Sequence, residues 1–424
     1  MSRLRDMARR AAPPGLRSAV RRAKKSFMGP SLFEVELGDY RFAADPSEVP
    51  RLTLVLPGIL RRNAFGGVNT GLDLFCRLAQ ALRQTGPLDL RLILTNPEDV
   101  EADNAFTRAA KPTGLDISDV DIRPRCFKGS EVAVRKNEVF MAFNWTCAGN
   151  LRGLLRAQAE HFDVAPRPML YPIQEYEPNF YTFSSDHLLA REVYDSDWPI
   201  FALVNSSQLA RWLEVQGHSF ARTDVFEPQL SAALRPFLKD ASSTTRKKQI
   251  LVYGRPAEDR NCFPILRKAL QIWAEAHPEQ AGWSVLSAGT PHRPVPLAGG
   301  RQLQSVGKLS LEDYARMLCE TAVGISLMAS PHPSYPPFEM AHFGLRTLTN
   351  RFAHKDLGTA HDNIVSLADS RPDALAQALA EACRAFEADP SGGVKARSHM
   401  PDYLGETAYP FLDDLAQALQ PFLQ

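Results

Sequence analysis

No apolar run in this 424-residue chain approaches the ~20 residues that a membrane-crossing helix needs. No apolar core follows the basic N-terminus, so a signal peptide is not expected. The six cysteines (Cys76, Cys126, Cys147, Cys262, Cys319, Cys383) lie far apart and form no Cys-x-x-Cys. A zinc ribbon or thioredoxin-like motif is therefore disfavoured, and they read as reduced thiols serving mainly as small core residues. None of the ten histidines stands in a His-x-x-x-His spacing. No short internal repeat is present. With 44% hydrophobic and 23% charged residues, the composition is that of a globular chain, which excludes disordered and collagen-like classes.

What is present is unevenly charged. Residues 1–30 hold nine Lys/Arg and one Asp, a local charge of +8, leaving 40 basic and 47 acidic residues elsewhere, a net of −7. Leu4, Met7, Leu16, Val20 and Phe27 are interleaved with those cations, and Pro13 and Pro14 split the segment. Such a basic, weakly amphipathic arm (taken as residues 1–45) can lie on an anionic membrane surface; the alternative is a solvated tail. The body has no matching basic stripe, so nucleic acid is not expected as a partner.

Short apolar strands then alternate with amphipathic helices. RLTLVL (51–56) is followed by a glycine-containing loop and a helix through about Leu82; LDLRLILT, EVFMAF (138–143), RPMLYPIQ (167–174) and PIFALVNSS (199–207) read as further strands. Helical periodicity marks 151–162, 185–194 and 208–217. The polar stretch 238–248 reads as a linker, after which the pattern restarts with QILVYG (249–254), WSVLSAG (283–289), 302–306, AVGISLMAS (322–330) and LRTLTN. Helices are expected at 263–277, 311–320 with Ser310 and Asp313 as a capping pair, from about Pro337 to Gly344, at 373–386, and in the C-terminal segment. The fold class is α/β with two doubly wound, Rossmann-like domains, 46–240 and 249–395, facing a cleft; 400–424 supplies a C-terminal helix packing back on the first domain.

In such sheets ligands sit beyond the C-terminal ends of strands. The loop Phe65-Gly66-Gly67-Val68-Asn69-Thr70-Gly71 is not G-x-G-x-x-G, but Gly66 and Gly67 permit close backbone approach to a ligand; a tight turn into a helix is the simpler alternative. After QILVYG, Arg255 and Arg260 stand five apart, and guanidinium forks suit a diphosphate. Gly307 and Lys308 end another strand, and Ser330-Pro331-His332-Pro333-Ser334-Tyr335-Pro336-Pro337-Phe338-Glu339 forms a rigid turn into a helix. Glu339 could accept a hydrogen bond from a sugar hydroxyl or simply favour the helix N-terminus. With the prolines unable to donate, His332, Ser334 and Tyr335 are the donors of that turn.

Together these loops resemble the donor half of a family-4-like GT-B glycosyltransferase. In that pattern Arg255 matches the arginine, Arg260 stands in place of the lysine, Gly307 and Lys308 match the base-side loop, and Glu339 matches the second Glu of a Glu-x7-Glu pair, which holds the nucleotide ribose. The first Glu is absent, its position being Pro331, so the handling of the donor sugar departs from the family. FGGVNTGLDLF, IQEYEPNFYTFSSDHLLAREVY, VYGRPAEDRNCF and SLMASPHPSYPPFEMAHFG are similar to bacterial WsaF-type rhamnosyltransferases over roughly residues 50–390. The resemblance implies a nucleotide-sugar donor, dTDP-L-rhamnose, a glycan or lipid-linked glycan acceptor, no separate cofactor, and a cytoplasmic enzyme peripheral to the membrane.

On the acceptor side, Glu175 and Glu177 follow a strand and could orient sugar hydroxyls, and Asn144, Trp145 and Thr146 could line the same cleft. Phe180, Tyr181 and Phe183 could cover apolar sugar faces, with Phe183 expected to turn into the core. Asp195-Ser196-Asp197 has the Asp-x-Asp form of a metal motif, but its place between a helix and a strand favours a turn, and no metal is assigned. A sugar-nucleotide epimerase of the same fold, or a non-catalytic glycan-binding protein, remain the competing readings.

Overall fold

The computed structural model describes residues 32–60, 66–97, 100–405 and 408–424. The basic segment 1–30, and with it the expectation of a surface-seeking arm, lies outside the described residues.

Among the described residues, nine strands build the first half: β1 (Arg41–Ala44), β2 (Arg51–Leu56), β3 (Asp89–Leu94), β4 (Asp121–Arg123), β5 (Glu131–Val134), β6 (Glu138–Ala142), β7 (Met169–Ile173), β8 (Ile200–Asn205) and β9 (Arg222–Phe226). β1 and β5 form a small parallel pair. The other seven make one sheet in the order β4-β3-β2-β6-β7-β8-β9, parallel at every pairing. Every residue of β2, β6 and β7 is buried, as helix-covered parallel strands require. Residues 32–45, grouped by sequence with the basic arm, belong to this domain: a helix Leu32–Glu36 precedes β1, and the Gly38 amide donates to Asn150 Oδ1 at 2.8 Å.

The second half repeats the design with β10 (Lys247–Gly254), β11 (Ser284–Gly289), β12 (Val295–Pro296), β13 (Gln302–Gly307), β14 (Thr321–Ile325), β15 (Arg346–Asn350) and β16 (Ile364–Leu367). Their order is β12-β13-β11-β10-β14-β15-β16, with only the edge strand β12 antiparallel. In each sheet the chain reverses its direction of travel at the centre, between β2 and β6 in one and β10 and β14 in the other. These are the switch points where open α/β sheets leave a crevice.

Several local expectations shift. The glycine run is not a loop: a helix starts at Gly66 and continues to Arg83, so Gly67 and Gly71 lie in its opening turns. A Cβ on Gly71 would approach the Phe143 ring to 3.1 Å, so the small residue lets the helix pack close to the strand end after β6. The stretch 238–248 is not an open linker, since Leu238–Ser243 is helical and β10 begins at Lys247. Arg246 accounts for its order, donating from Nη1 to Leu318 O at 3.1 Å and Thr321 O at 2.5 Å. The capping pair holds, with Ser310 Oγ accepting from the Asp313 amide at 3.1 Å. Gly344 ends its helix with φ +89°.

The last segment returns to the first domain. Tyr409, Phe411, Leu415 and Leu419 join the same apolar core as Leu72, Phe75 and Leu92, and Gln420 Nε2 donates to Thr85 Oγ1 at 2.7 Å.

Candidate functional site

The two crevices face each other, and their loops meet. Glycine at the end of β10 leaves room for its neighbour: a Cβ on Gly254 would come within 2.0 Å of Ser287 Oγ on β11 and would have to displace that hydroxyl. Beyond it the chain turns through Arg255, Glu258 and Arg260, all half-buried. Arg255 Nη2 lies 3.1 Å from Glu258 Oε1, and Arg260 Nη1 lies 3.3 Å from Glu258 Oε2. The two guanidinium groups therefore converge, and a carboxylate occupies their focus. The Arg260 guanidinium also lies over the Phe180 ring of the opposite domain, 4.6 Å from its centroid.

The loop after β14 is fastened to this turn, the Ala329 amide donating to Arg260 O at 2.7 Å. Ser330 Oγ donates across the cleft to Glu175 Oε1. Burial raises the Glu175 carboxyl above its ordinary range, while the Ser330 hydroxyl and the Arg260 charge oppose the shift. Lys355, fully buried, donates from Nζ to Met328 O at 2.9 Å and His332 O at 3.4 Å. Burial lowers its ammonium to about 8, partly offset by the Glu175 charge. His332 is 6% exposed; its Nδ1 accepts from the Ser334 amide at 3.0 Å, and its Nε2 is buried without a partner. Burial, with the Lys355 and Arg260 charges, pushes it down to about 3, so the ring is neutral and presents an N–H at Nε2. Orphan polar atoms cluster here, including Arg260 Nε, Asn261 Oδ1 and Asn205 Oδ1. Unfilled buried donors and acceptors are costly unless something occupies them.

Tyr335 is already engaged as a bridge: its OH accepts from Asn205 Nδ2 at 2.8 Å and bonds to Thr70. Ser334 sits behind His332 with φ +71°, shaping the turn. Glu339 accepts from Tyr314 OH at 3.0 Å, and burial lifts its carboxyl to about 7. Gly307, at φ +70°, and the exposed Lys308 stand at the end of β13, two strands along the sheet from β10. Across the cleft, Gln174 Nε2 donates to Gly67 O at 2.8 Å, joining the β7 loop to the helix start at Gly66.

Four acceptor-side candidates are used by the fold itself. Asn144 caps the helix Trp145–Phe162, its Oδ1 accepting from the Cys147 amide at 2.9 Å. Thr146 Oγ1 donates to Asn144 Oδ1 at 3.1 Å, and buried Trp145 donates from Nε1 to Tyr181 OH at 2.8 Å. Glu177 accepts from Tyr171 OH beneath the loop and from the Trp145 amide; burial lifts it to about 7. Glu175 alone of the group reaches the opposing domain. Phe183 is not in the core but 98% exposed. Asp195 holds His218 Nδ1 at 2.6 Å and Arg191 Nε at 3.2 Å, while Asp197 meets Arg156 at 3.3 Å, so the Asp-x-Asp is a structural turn. Lys355 and Asn205 went unread in the sequence: nothing in Arg351–Asp356 distinguishes a buried lysine from a solvated one.

Two doubly wound parallel sheets with opposed switch points across one cleft define the GT-B architecture. The WsaF N-terminal domain model matches residues 51–207 and the WsaF C-terminal domain model matches residues 248–380, together more than half of the chain. The chain belongs to the WsaF family. The O-antigen biosynthesis protein RfbC of Myxococcus xanthus is 24% identical over 329 residues, covering 75% of this chain and 24% of RfbC, so the chain spans about a quarter of that relative's length. A solved trehalose-6-phosphate synthase, OtsA, shares the fold with a TM-score of 0.51 at 12% identity, over 88% of this chain and 98% of its own. The Anabaena protein HepE, solved in complex with UDP-glucose, aligns with a TM-score of 0.48 at 11% identity, over 88% of this chain and 97% of its own.

Proposed function

We propose that this protein is a glycosyltransferase that moves a sugar, L-rhamnose from dTDP-L-rhamnose, to a hydroxyl of a growing bacterial cell-surface glycan. The observation that carries the reading is the convergence of Arg255 and Arg260 on one carboxylate at the end of the central strand β10. A diphosphate displacing Glu258 would meet the same two forks. Lys355 adds a third cation near the β14 loop, and neutral His332 offers an unpartnered N–H. Glu339 supplies the acceptor atoms for the ribose hydroxyls, and Glu175, from the opposing domain, is the carboxylate available to orient a sugar hydroxyl.

In the reaction the bond between the anomeric carbon and the diphosphate oxygen breaks, and a bond from that carbon to the acceptor oxygen forms. The acceptor's proton is released, and the departing diphosphate keeps the electron pair. Arg255, Arg260 and Lys308 stabilise the charge that builds on it. The +8 of residues 1–30 brings the enzyme to the anionic inner face of the cell membrane. RfbC, by its name a protein of O-antigen biosynthesis, supports the glycan assignment. The test is a thermal-shift panel of nucleotide sugars on the purified protein: dTDP-L-rhamnose should raise the melting temperature. A panel with no stabilising nucleotide sugar contradicts the reading.

A further inference from the structure

Resting on the glycosyltransferase reading, we infer that Glu258 is a built-in competitor for the diphosphate: it fills the guanidinium forks of Arg255 and Arg260 in the empty site, yields them to a nucleoside diphosphate sugar, and retakes them as the nucleoside diphosphate leaves. Its carboxylate spans both partners, Oε1 lying 3.1 Å from Arg255 Nη2 and Oε2 lying 3.3 Å from Arg260 Nη1. Each oxygen fills one fork, as each phosphoryl group of a diphosphate would. The side chain is not what folds the turn. The Glu258 amide donates to Arg255 O at 3.0 Å, the Asn261 amide to Glu258 O at 2.9 Å, and the Ala329 amide to Arg260 O at 2.7 Å. All three bonds are backbone to backbone, so the carboxylate can swing away through its own rotamers while the turn keeps its shape. Arg260 also keeps its place without Glu258, because its guanidinium lies over the Phe180 ring at 4.6 Å.

The exchange is open to a ligand. The side chains of Arg255, Arg260 and Glu258 are 28%, 31% and 32% exposed. Ion pairs this accessible to water are weak, because solvent and salt screen them. A diphosphate brings a charge on each phosphoryl group against the single charge of Glu258, so it wins the forks. The carboxylate is tethered in the same turn and is always at hand to win them back. Transfer makes that return matter. Once the sugar has left, the terminal phosphoryl group gains a further charge and holds the arginines more tightly than the donor did. As each phosphoryl group loosens, Glu258 takes the freed guanidinium and blocks rebinding. Glu258 thereby lowers affinity for the donor and hastens departure of the product.

The experiment compares the full chain with Glu258→Gln, which keeps the shape and removes the charge. Calorimetry is run with dTDP, UDP and dTDP-L-rhamnose, and dissociation of labelled nucleotide is followed by chase. The variant is expected to bind about three- to tenfold more tightly than the wild type. Release of the nucleoside diphosphate should slow by a similar factor. In an Arg255→Ala background the same substitution should give a smaller gain, because only one fork is left to compete for. Weaker binding by Glu258→Gln overturns the inference, since the carboxylate would then be a neutraliser that the site needs. A gain of undiminished size in the Arg255→Ala background also overturns it, and so does tighter binding with an unchanged release rate. Two failures are told apart by the wild type. If it binds none of the three ligands, the glycosyltransferase reading itself falls and this inference with it. If wild type and Glu258→Gln bind them equally, that reading stands and the role of Glu258 is refuted.

Discussion

Glu258 holds both arginines that the spacing after β10 offers to a diphosphate. Each guanidinium should thus be worth one charge-assisted contact to the donor rather than a scaffold contact. Arg255→Ala and Arg260→Ala are each expected to weaken nucleotide-sugar binding by about 1.5–3 kcal/mol with the fold retained; calorimetry showing wild-type affinity in both would remove them from the site. Lys355 adds a pH dependence. Its amine is lowered by burial to about 8, below the ordinary lysine value of 10.5. Between those two values the unfolded chain binds the extra proton, so the contribution of Lys355 to stability rises with pH across that window. Donor affinity should move the opposite way, falling as pH rises through about 8 and the charge leaves. Donor titrations at pH 7 and pH 9 check this, and equal affinities would show that the Lys355 charge does not reach the donor. The arginines were legible because two strong cations follow a buried strand. Lys355 was not, because its burial is made by the β14 loop folding over it, a contact between residues 23 and 27 positions apart.

At the scale of elements, strands rich in aliphatic residues read plainly: QILVYG is largely apolar and four of the six residues of RLTLVL are aliphatic, and they became β10 and β2. Short edge pieces did not; β1, β4 and β16 have three or four residues, too few for a period to emerge. The helix Trp145–Phe162 starts six residues before the apolar periodicity becomes visible, because Asn144 caps it. Two acceptor candidates were lost to this: a polar side chain after a strand serves equally as a cap or as a ligand, and sequence does not separate the two. The β2-β3-β6 contact carries its own test. Glu138, fully buried, meets Arg51 at 2.6 Å and Arg91 at 2.5 Å, near the N-terminal strand ends and so away from the cleft. Glu138→Ala takes the carboxylate from buried Arg91 and leaves Arg51 with Asp45 alone, and is expected to cost about 3–5 kcal/mol in denaturant unfolding. A loss under 1 kcal/mol would mean that water or a rearranged partner replaces the carboxylate.

Over the whole molecule, the contacts across the cleft among the described residues include polar ones, Glu175 with Ser330, Asn205 with Tyr335 and His354 Nε2 with Gln208 O, and aromatic ones, Arg260 over Phe180 and Trp212 against Phe352. The C-terminal helix adds a second chain crossing between the domains, with Tyr409 and Leu415 in the core they share with Phe75. Pattern and composition anticipated two α/β halves because each restarts the strand–helix alternation. Which loops meet across the cleft depends on how the halves are set against each other, and no periodicity encodes that. The central claim is that these opposed loops bind a nucleoside diphosphate sugar and pass its sugar to an acceptor. The direct measurement is acceptor-dependent release of dTDP from dTDP-L-rhamnose, followed for the wild type and Arg260→Ala, with and without EDTA. The account predicts release that requires the acceptor glycan, falls at least about tenfold in the variant, and survives chelation because the cations of the cleft meet the diphosphate charge. Release that proceeds equally well without acceptor, or that collapses with EDTA and returns with Mn²⁺, would contradict it.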